Sequence, residues 1–267
     1  MDARIVIPAR YASIRYPGKP LGRLKGASGQ PRTLIERSIL AARAASQGQI
    51  PIFVATDDER IAEEARRVGE DVIMTSPKCR NGTERVAEAI SLGNISAEIV
   101  INLQGDAPLT PSHFVTLLID AMRQDSECLV TTPCLRCDAE TVRNLLADRQ
   151  AGRVGATTVV FDRDQKALYF SKEVLPFTSG KGIVNDVVPV FHHVGVYAYR
   201  ASALAAYAGL EPAPLENLEG LEQLRFLEYG LPIRMVEVSA PGTVFWELNN
   251  PSDASLIEGY LAKMNWD

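Results

Sequence analysis

Short apolar runs rich in β-branched residues alternate with helical patterns along the first half of the chain. Ile50 to Thr56 and Asp71 to Met74 have the composition of strands, whereas Thr33 to Ser46 and Glu59 to Val68 have helical spacing. Strands that are separated by single helices need crossover connections, which are right-handed and make the strands parallel. The alternation therefore predicts an α/β fold with a Rossmann-like, mostly parallel sheet.

The size and charge of the chain limit the number of domains and the kinds of ligand that we expect. It has 267 residues, 46% of them hydrophobic and 23% charged, with a net charge of -5. This size predicts one domain over residues 1–267, and the acidic balance argues against nucleic-acid binding. The N-terminus has no basic segment followed by a long apolar run, so we expect neither a signal peptide nor a membrane span. A cytoplasmic location is the default expectation.

The cysteines do not form a complete metal motif. Cys134 and Cys137 have the spacing of half a zinc site, but no second cysteine pair or nearby histidine completes it. We interpret these two residues, together with Cys79 and Cys128, as free thiols that are buried or half-buried.

The pattern changes after about residue 155. Thr157 to Phe161, Lys166 to Phe170 and Val190 to Tyr199 are β-like, with a hairpin turn at Asp162 to Asp164 between the first two. These runs predict an antiparallel excursion from the parallel sheet near residues 155–200. The following segments are predicted as one amphipathic helix, a last strand and a last helix, over 214–230, Ile233–Val238 and Pro251–Met264.

The first predicted strand opens into a cationic loop. Arg4 to Ile7 is apolar and β-branched, Pro8 is expected to end it, and the loop then carries Arg10, Arg15 and Lys19. Arginine offers a planar fork of donors and lysine a compact charge, and both suit phosphate oxygens. The loop therefore fits a polyphosphate site, although a solvated basic loop explains three cations equally well. Neither G-x-x-x-x-G-K-[ST] nor a G-x-G-x-x-G after the first strand is present.

A second loop contains Asn81, Gly82 and Thr83 just before a predicted helix. A glycine there lets the backbone approach a ligand, and the free N–H groups of a helix start favour acceptors. Ordinary capping of the helix by Thr83 explains these residues better when they are taken alone.

A third loop ends the central strand. Glu98 to Leu103 is strongly apolar and leads into Gln104, Gly105 and Asp106. Ligands of open α/β sheets sit beyond the carboxyl ends of strands, where a carboxylate can bind a hard divalent cation. We favour this interpretation of Asp106 over a cap for the helix that begins near Pro111.

Six motifs in order carry a resemblance to a known family. The first is Pro-Ala-Arg-Tyr-Ala-Ser-x-Arg-x-Pro-Gly-Lys-Pro-Leu at 8–21. The others are Gly-Thr-Glu-Arg at 82–85, Gln-Gly-Asp-x-Pro at 104–108, Ala-Leu-Tyr-Phe-Ser at 167–171, His-x-Gly-x-Tyr-x-Tyr-Arg at 193–200 and Leu-Glu-Gln-Leu-Arg at 221–225. From about Arg4 to Tyr229 the chain resembles the CMP-Kdo synthetases (3-deoxy-manno-octulosonate cytidylyltransferases).

The resemblance implies a nucleotide-diphospho-sugar transferase type of fold and an activity. Such an enzyme transfers CMP from CTP to the anomeric hydroxyl of a sugar acid, Kdo or a Kdo-like ulosonic acid, with Mg2+ as cofactor and pyrophosphate as product. The resemblance also implies a role in lipopolysaccharide biosynthesis and a homodimer. The sub-lobe near 155–200 would bind the acid and form the dimer, through exposed apolar residues that include Val187, Val188, Val190 and Phe191.

The resemblance also implies residue roles. Nucleotide binding falls to Ala9, Arg10, Arg15, Lys19, Asn81, Gly82, Thr83 and Gln104. Binding of the acid falls to Gln104, Lys172, His193, Tyr197, Glu222 and Gln223. Catalysis would rest on Arg10, Lys19 and Asp106, and the metal ligands would be Asp106 and Asn249.

The departures from the family pattern surround the acid and the metal. Lys172 stands where arginine is usual, Asn81 replaces a usual serine, and Asn249 stands at the position of a metal-binding aspartate. The acceptor could therefore be an amino-Kdo, another ulosonic acid or a phosphonate. A non-catalytic paralogue that binds CTP or a CMP-sugar is a further alternative. A dinucleotide oxidoreductase is disfavoured because its glycine fingerprint is missing.

Overall fold

The computed structural model describes residues 2–13, 16–106, 108–153, 156–178, 189–240, 248, 250–251 and 253–266. The strands are β1 (Ala3–Ala9), β2 (Arg23–Lys25), β3 (Pro31–Thr33), β4 (Ile52–Thr56), β5 (Asp71–Met74), β6 (Ile99–Leu103), β7 (Val130–Arg136), β8 (Thr158–Phe161), β9 (Ala167–Ser171), β10 (Phe191–His193), β11 (Val196–Arg200) and β12 (Ile233–Val238). The helices are α1 (Leu34–Ser46), α2 (Glu59–Arg67), α3 (Gly82–Leu92), α4 (Ser112–Gln124), α5 (Ala139–Gln150), α6 (Ala201–Ala208), α7 (Pro214–Glu219), α8 (Leu224–Glu228) and α9 (Asp253–Lys263).

One large sheet organises the fold. Its hydrogen-bonded order is β5-β4-β1-β6-β11-β7-β10-β8-β9, and β12 pairs with β7. β1 is parallel to both β4 and β6, and β4 is parallel to β5. The predicted Rossmann-like arrangement is therefore confirmed. Because these strands are parallel, the loops that follow β1, β4, β5 and β6 all leave the same edge of the sheet.

The predicted antiparallel excursion near 155–200 is also confirmed, and it extends the same sheet. β8 and β9 form a hairpin, β10 pairs antiparallel with β8 and β7, and β11 lies antiparallel between β6 and β7. The run from Val190 to Tyr199 forms two strands, because the chain leaves the ladder at Val194 and Gly195. A small antiparallel pair, β2 with β3, was not predicted from the sequence.

The core lies on both faces of the sheet. On β1, Ile5 and Ile7 pack in a cluster with Ile39 of α1 and Phe114 of α4. Val6 faces the opposite way, into a cluster with residues of α3, α6 and α8. A central strand that is buried on both faces reads as a continuous apolar run, which is how the sequence presents β1.

The prediction that Pro8 ends the first strand is wrong. β1 continues to Ala9, and Pro8 pairs with Ala55 of β4. The ladder between β1 and β6 stops earlier, at Val6. Proline is tolerated at Pro8 because the strand is hydrogen-bonded on only one side there.

The prediction of one helix over 214–230 is also wrong. Two short helices, α7 and α8, occupy this segment. Gly220 separates them with φ 61, a left-handed conformation that ends α7 and that residues with a Cβ adopt rarely.

Cys128, Cys134 and Cys137 are buried free thiols, and Cys79 is a half-buried one. Burial raises the pKa of the Cys134 thiol to about 12, so that it stays protonated at neutral pH. Among the helices that the structure describes, none has the length and apolar character needed to cross a bilayer.

Candidate active site

A cation and a carboxylate meet at the edge of the sheet where β1 and β6 end. The ammonium of Lys19 donates to Oδ2 of Asp106 at 2.7 Å, and the two side chains are 14% and 29% exposed. Lys19 begins a short 3-10 turn, Lys19–Leu21, which the chain enters through Gly18 at φ 70. The lysine predicted to bind phosphate and the aspartate predicted to bind metal are therefore paired with each other.

The backbone around Asp106 is held by close contacts. A Cβ at Gly105 would lie 2.9 Å from the carbonyl oxygen of Pro8, so only glycine fits between the ends of β1 and β6. Ser38 donates to the carbonyl of Gly105 at 3.0 Å. The N–H of Leu248 donates to the carbonyl of Asp106 at 2.9 Å, which brings the C-terminal part of the chain to this edge.

A second polar cluster lies beside the first and is centred on Glu222. Its Oε1 accepts a hydrogen bond from Nε2 of Gln104 at 3.1 Å, and its Oε2 accepts one from the backbone N–H of Thr83 at 2.9 Å. Burial raises the pKa of Glu222, while the N–H groups at the start of α3 act in the opposite direction. Glu222 thus ties the end of β6 to the first turn of α3.

The first turn of α3 is capped by Asn81 and not by Thr83. Oδ1 of Asn81 accepts from the backbone N–H of Glu84 at 2.8 Å, the geometry of an N-cap. The hydroxyl of Thr83 is buried and lies 2.9 Å from the hydroxyl of Tyr199. The capping prediction for Thr83 is wrong because the N-cap lies two residues earlier, at Asn81, and the helix begins at Gly82.

An aromatic row continues from this cluster along the same face of the sheet. Tyr199 stacks on Tyr197 with ring centroids 5.7 Å apart, and the ring of His193 lies 5.5 Å from that of Tyr197. Nε2 of His193 is 2.9 Å from the hydroxyl of Thr132. Burial lowers the pKa of His193 to about 3, so the imidazole is neutral at physiological pH. Although they belong to different strands, His193 and Tyr197 share the face that the sequence predicted.

The remaining predicted residues lie around these clusters. Ala9 is buried at the end of β1, and Arg10 follows it as an exposed residue. The backbone N–H of Lys172 donates to Glu219 at 3.0 Å. Nζ of Lys172 would be 3.0 Å from a Cβ at Gly220, so the ammonium faces the turn before Glu222. Gln223 is buried at the start of α8. Arg15 and Asn249 lie outside the described residues.

Some buried polar residues near the site were not predicted, and Asn102 and Arg225 are examples. Asn102, two residues before Gln104 on β6, is fully buried, and its side chain interacts with the buried hydroxyl of Tyr199. Arg225 is the largest fully buried side chain in the part of the chain that the structure describes, and it contacts Glu84 in the first turn of α3. Arg225 stands out in the sequence only weakly, as the last residue of Leu-Glu-Gln-Leu-Arg, because a helical pattern does not indicate that a charged residue is buried.

The donor set allows a shared metal site. Among the described residues no group of three or more His, Cys, Asp or Glu side chains could hold a metal ion. Asp106 offers a partly exposed carboxylate beside the cation Lys19. Mg2+ commonly binds through one or two carboxylates and completes its shell with substrate phosphates and water. The described residues therefore fit a cation that arrives with a polyphosphate.

Comparison with known proteins places this site in a family. The family model described as cytidylyltransferase matches residues 4–235. The chain is 41% identical over 262 residues to the 3-deoxy-manno-octulosonate cytidylyltransferase of Maricaulis maris, with 98% of each chain covered. It is 38% identical over 259 residues to the enzyme of the same name from Chlamydia pneumoniae, with 96% of this chain and 92% of that protein covered.

A solved structure agrees with the sequence comparison. CMP:2-keto-3-deoxy-manno-octonic acid synthetase in complex with CTP superimposes with a TM-score of 0.80 and 33% identity, covering 99% of this chain and 100% of that one. The resemblance found in the sequence is thereby confirmed. The chain belongs to the cytidylyltransferase family and is an enzyme of the nucleotidyltransferase class.

Proposed function

We propose that the protein transfers CMP from CTP to the anomeric hydroxyl of 3-deoxy-manno-octulosonate or a closely similar sugar acid. The observation that carries the proposal is the meeting of two clusters at one sheet edge. One is the Lys19–Asp106 pair, and the other joins Gln104, Glu222 and Thr83. The names of the relatives support CTP and this acid as the substrates.

The roles follow from charge and position. Arg10 and Lys19 would hold the triphosphate, with Arg15 and residues 81–83 near the base. The hydroxyl oxygen attacks the α-phosphorus, the bond from that phosphorus to the oxygen that bridges to the β-phosphorus breaks, pyrophosphate leaves, and the hydroxyl proton passes to water. Positioning and charge neutralisation are the main contributions of the protein. Mg2+, held by Asp106 with Asn249 as the proposed neutral ligand, would supply further neutralisation of the triphosphate.

The acid would lie along the aromatic row. Gln104, His193 and Tyr197 present polar groups on one face, and Lys172 faces the turn before Glu222 and Gln223. Lys172 offers a point charge to a carboxylate where arginine would offer a bidentate fork. This difference is the specific reason to include other acids in the test.

The test is CTP-dependent release of pyrophosphate with a panel of acids. The panel should contain 3-deoxy-manno-octulosonate, its amino analogue, another ulosonic acid and a phosphonate. We expect the highest kcat/KM with the first of these. Release with none of them, despite CTP binding, would contradict the transferase proposal and favour a nucleotide-binding paralogue.

We also propose that the sub-lobe near 155–200 forms a two-fold dimer. The apolar residues that suggested this from the sequence give limited support, because Val190 is fully buried and Val187 and Val188 lie outside the described residues. Phe191 packs on Phe161 with ring centroids 4.7 Å apart. Other residues of the sub-lobe support the proposal better.

Leu168 and Phe177 are those residues. Their exposed fractions are 61% and 90%. Leu168 lies on β9, the last strand in the order of the sheet, and exposed large apolar side chains favour contact with another chain. These exposed side chains therefore offer a surface for a second copy.

Light scattering at micromolar concentration is expected to give the mass of a dimer. Phe177→Asp should raise the dimer dissociation constant by roughly 10–100-fold, because it removes a large apolar side chain from the proposed interface. Leu92→Asp, at a residue that is 58% exposed on α3, is the matched control and should leave the mass unchanged. A wild-type monomer at this concentration would contradict the prediction.

Gly82→Ala should impair catalysis while leaving the fold stable. A Cβ at Gly82 would lie 2.8 Å from Nε2 of Gln104, which can yield because it is the far end of a flexible side chain. The displaced amide should lose its hydrogen bond to Glu222, and we expect kcat/KM to fall roughly tenfold.

Steady-state kinetics and thermal unfolding test this prediction together. Gly259→Ala is the control, because a Cβ there meets nothing within 4 Å and lies in the helix α9. Unchanged kinetics in Gly82→Ala would show that the position of the Gln104 amide does not matter for turnover.

A further inference from the structure

The buried Arg225 connects two helices near the second cluster. One is α3, whose first turn contacts Glu222, and the other is α7, which precedes Glu222 in the chain. Arg225 is 0% exposed. Its Nε and Nη2 each donate to one carboxylate oxygen of Glu216 at 2.6 Å, and its Nη1 donates to Oε1 of Glu84 at 2.9 Å. The guanidinium therefore donates hydrogen bonds to one carboxylate on α7 and to another in the first turn of α3. A bidentate pair of this kind fixes orientation as well as distance.

The same network reaches Asn81. Nδ2 of Asn81 donates to Oε1 of Glu216 at 3.2 Å and to the hydroxyl of Tyr207 at 2.8 Å. That hydroxyl donates in turn to the carbonyl of Glu222 at 3.1 Å, and the Arg225 guanidinium lies 4.3 Å from the centre of the Tyr207 ring. Arg225 thus contacts Glu84, which follows the loop that leads into α3, and Glu216, which accepts a hydrogen bond from Asn81 of that loop.

The charges of the network hold the Arg225 guanidinium between the carboxylates of Glu84 and Glu216. Burial raises the pKa of Glu84, but the backbone N–H of Arg80 and the guanidinium of Arg225 lower it more, so the carboxylate is ionised. A buried guanidinium between two carboxylates is stable only while both partners remain close. Removing it leaves Glu84 and Glu216 without their shared buried partner, and the 3.2 Å hydrogen bond from Asn81 to Glu216 must then hold the loop against α7 without the guanidinium.

We propose that Arg225 is a positioning residue that sets the geometry of residues 81–83 against Gln104. None of the contacts described for Arg225 is with Lys19, Gln104 or Asp106, so its effect passes through Glu84, Glu216 and Asn81. The inference rests on the proposed function, in which residues 81–83 lie near the base of CTP. Arg225 then determines how well the enzyme distinguishes cytosine from uracil, which differ at one edge by an amino group in place of a carbonyl.

The experiment compares CTP with UTP in wild type, Arg225→Lys and Glu84→Gln. Arg225→Lys keeps the charge but loses the bidentate fork, and Glu84→Gln removes one carboxylate while keeping the size of the side chain. In both variants we expect KM for CTP to rise at least about tenfold, with kcat and KM for the acid changing less. The ratio of kcat/KM for CTP over UTP should fall by a similar factor.

Arg200→Lys is the matched control. Arg200 is a partly buried arginine that donates to the carbonyls of Met122, Asp125 and Cys128. It pairs with Ile99, at the opposite end of β6 from Gln104. Its replacement should lower the melting temperature without changing the ratio of kcat/KM for CTP over UTP. This result would define the effect of a purely structural substitution.

The outcomes separate the two claims. A wild type that binds CTP and transfers it to none of the acids contradicts the proposed function. An active wild type whose CTP/UTP ratio survives in both Glu84→Gln and Arg225→Lys overturns the role of Arg225. Glu84→Gln provides this test even where Arg225→Lys does not fold. Lower stability with unchanged KM for CTP in the folded variants also overturns it.

Discussion

Replacing Asp106 by Asn is expected to lower kcat by roughly 10²–10³-fold, the cost of removing a preorganised electrostatic group from a reacting centre. Asp106 is the carboxylate that follows β6, and its side chain is still 29% exposed beside Lys19. Asparagine keeps the shape but loses the charge that would attract Mg2+ and the triphosphate. The fold should survive, because the backbone carbonyl of Asp106 still accepts from Leu248 and its neighbour Gly105 is unchanged.

Single-turnover kinetics at saturating CTP and acid measure the loss directly. Asp120→Asn is the control, since Asp120 is a half-exposed carboxylate on α4 that pairs with Arg123 at 3.4 Å. Full turnover in Asp106→Asn would exclude the carboxylate from the reaction. A large drop in melting temperature would instead indicate that Asp106 matters for the fold.

The strand pattern was predictable because the strands are short, apolar, β-branched runs that stand between segments of helical spacing. β5 and β12 begin and end at the predicted residues, and α1 ends at Ser46 as predicted. Features that depend on which strands are neighbours in the folded sheet were harder to predict. Pro8 stays in β1 because β6 no longer pairs with it there, which no local rule reveals.

The sequence could predict which residues would lie near one another at the candidate site, but not their contacts. The motifs bring Lys19, Asp106, Gln104 and Glu222 to one edge, as expected from strands whose carboxyl ends coincide. That Lys19 would pair with Asp106 could not be foreseen, because they lie far apart in sequence. Arg225 was missed for a related reason, since its two partners come from α3 and α7.

The Lys19–Asp106 pair leads us to expect opposite effects of one substitution on the affinities for CTP and for Mg2+. Lys19→Ala should weaken CTP binding by about 1.5–3 kcal/mol, the worth of a hydrogen bond to a charged group, which is roughly 10–150-fold. The same change removes the cation that lies 2.7 Å from Oδ2 of Asp106. Mg2+ should therefore bind more tightly to the variant than to wild type when CTP is absent, because the carboxylate no longer has a competing partner.

Calorimetric titration of CTP and of Mg2+ into the ligand-free protein measures both effects. Lys25→Ala is the control, because Lys25 is an exposed lysine on the separate hairpin of β2 and β3. Unchanged CTP affinity in Lys19→Ala would remove the lysine from the phosphate site.

Asp106→Asn completes the comparison. The variant should bind Mg2+ more weakly than wild type with or without CTP, because the cation loses its charged protein ligand. Tight Mg2+ binding to Asp106→Asn would show that the metal sits on other residues. If instead Lys19→Ala gains Mg2+ affinity and Asp106→Asn loses it, the two results place the cation on Asp106. Lys19 then holds that carboxylate until the phosphates of CTP replace it as the partner of the ammonium.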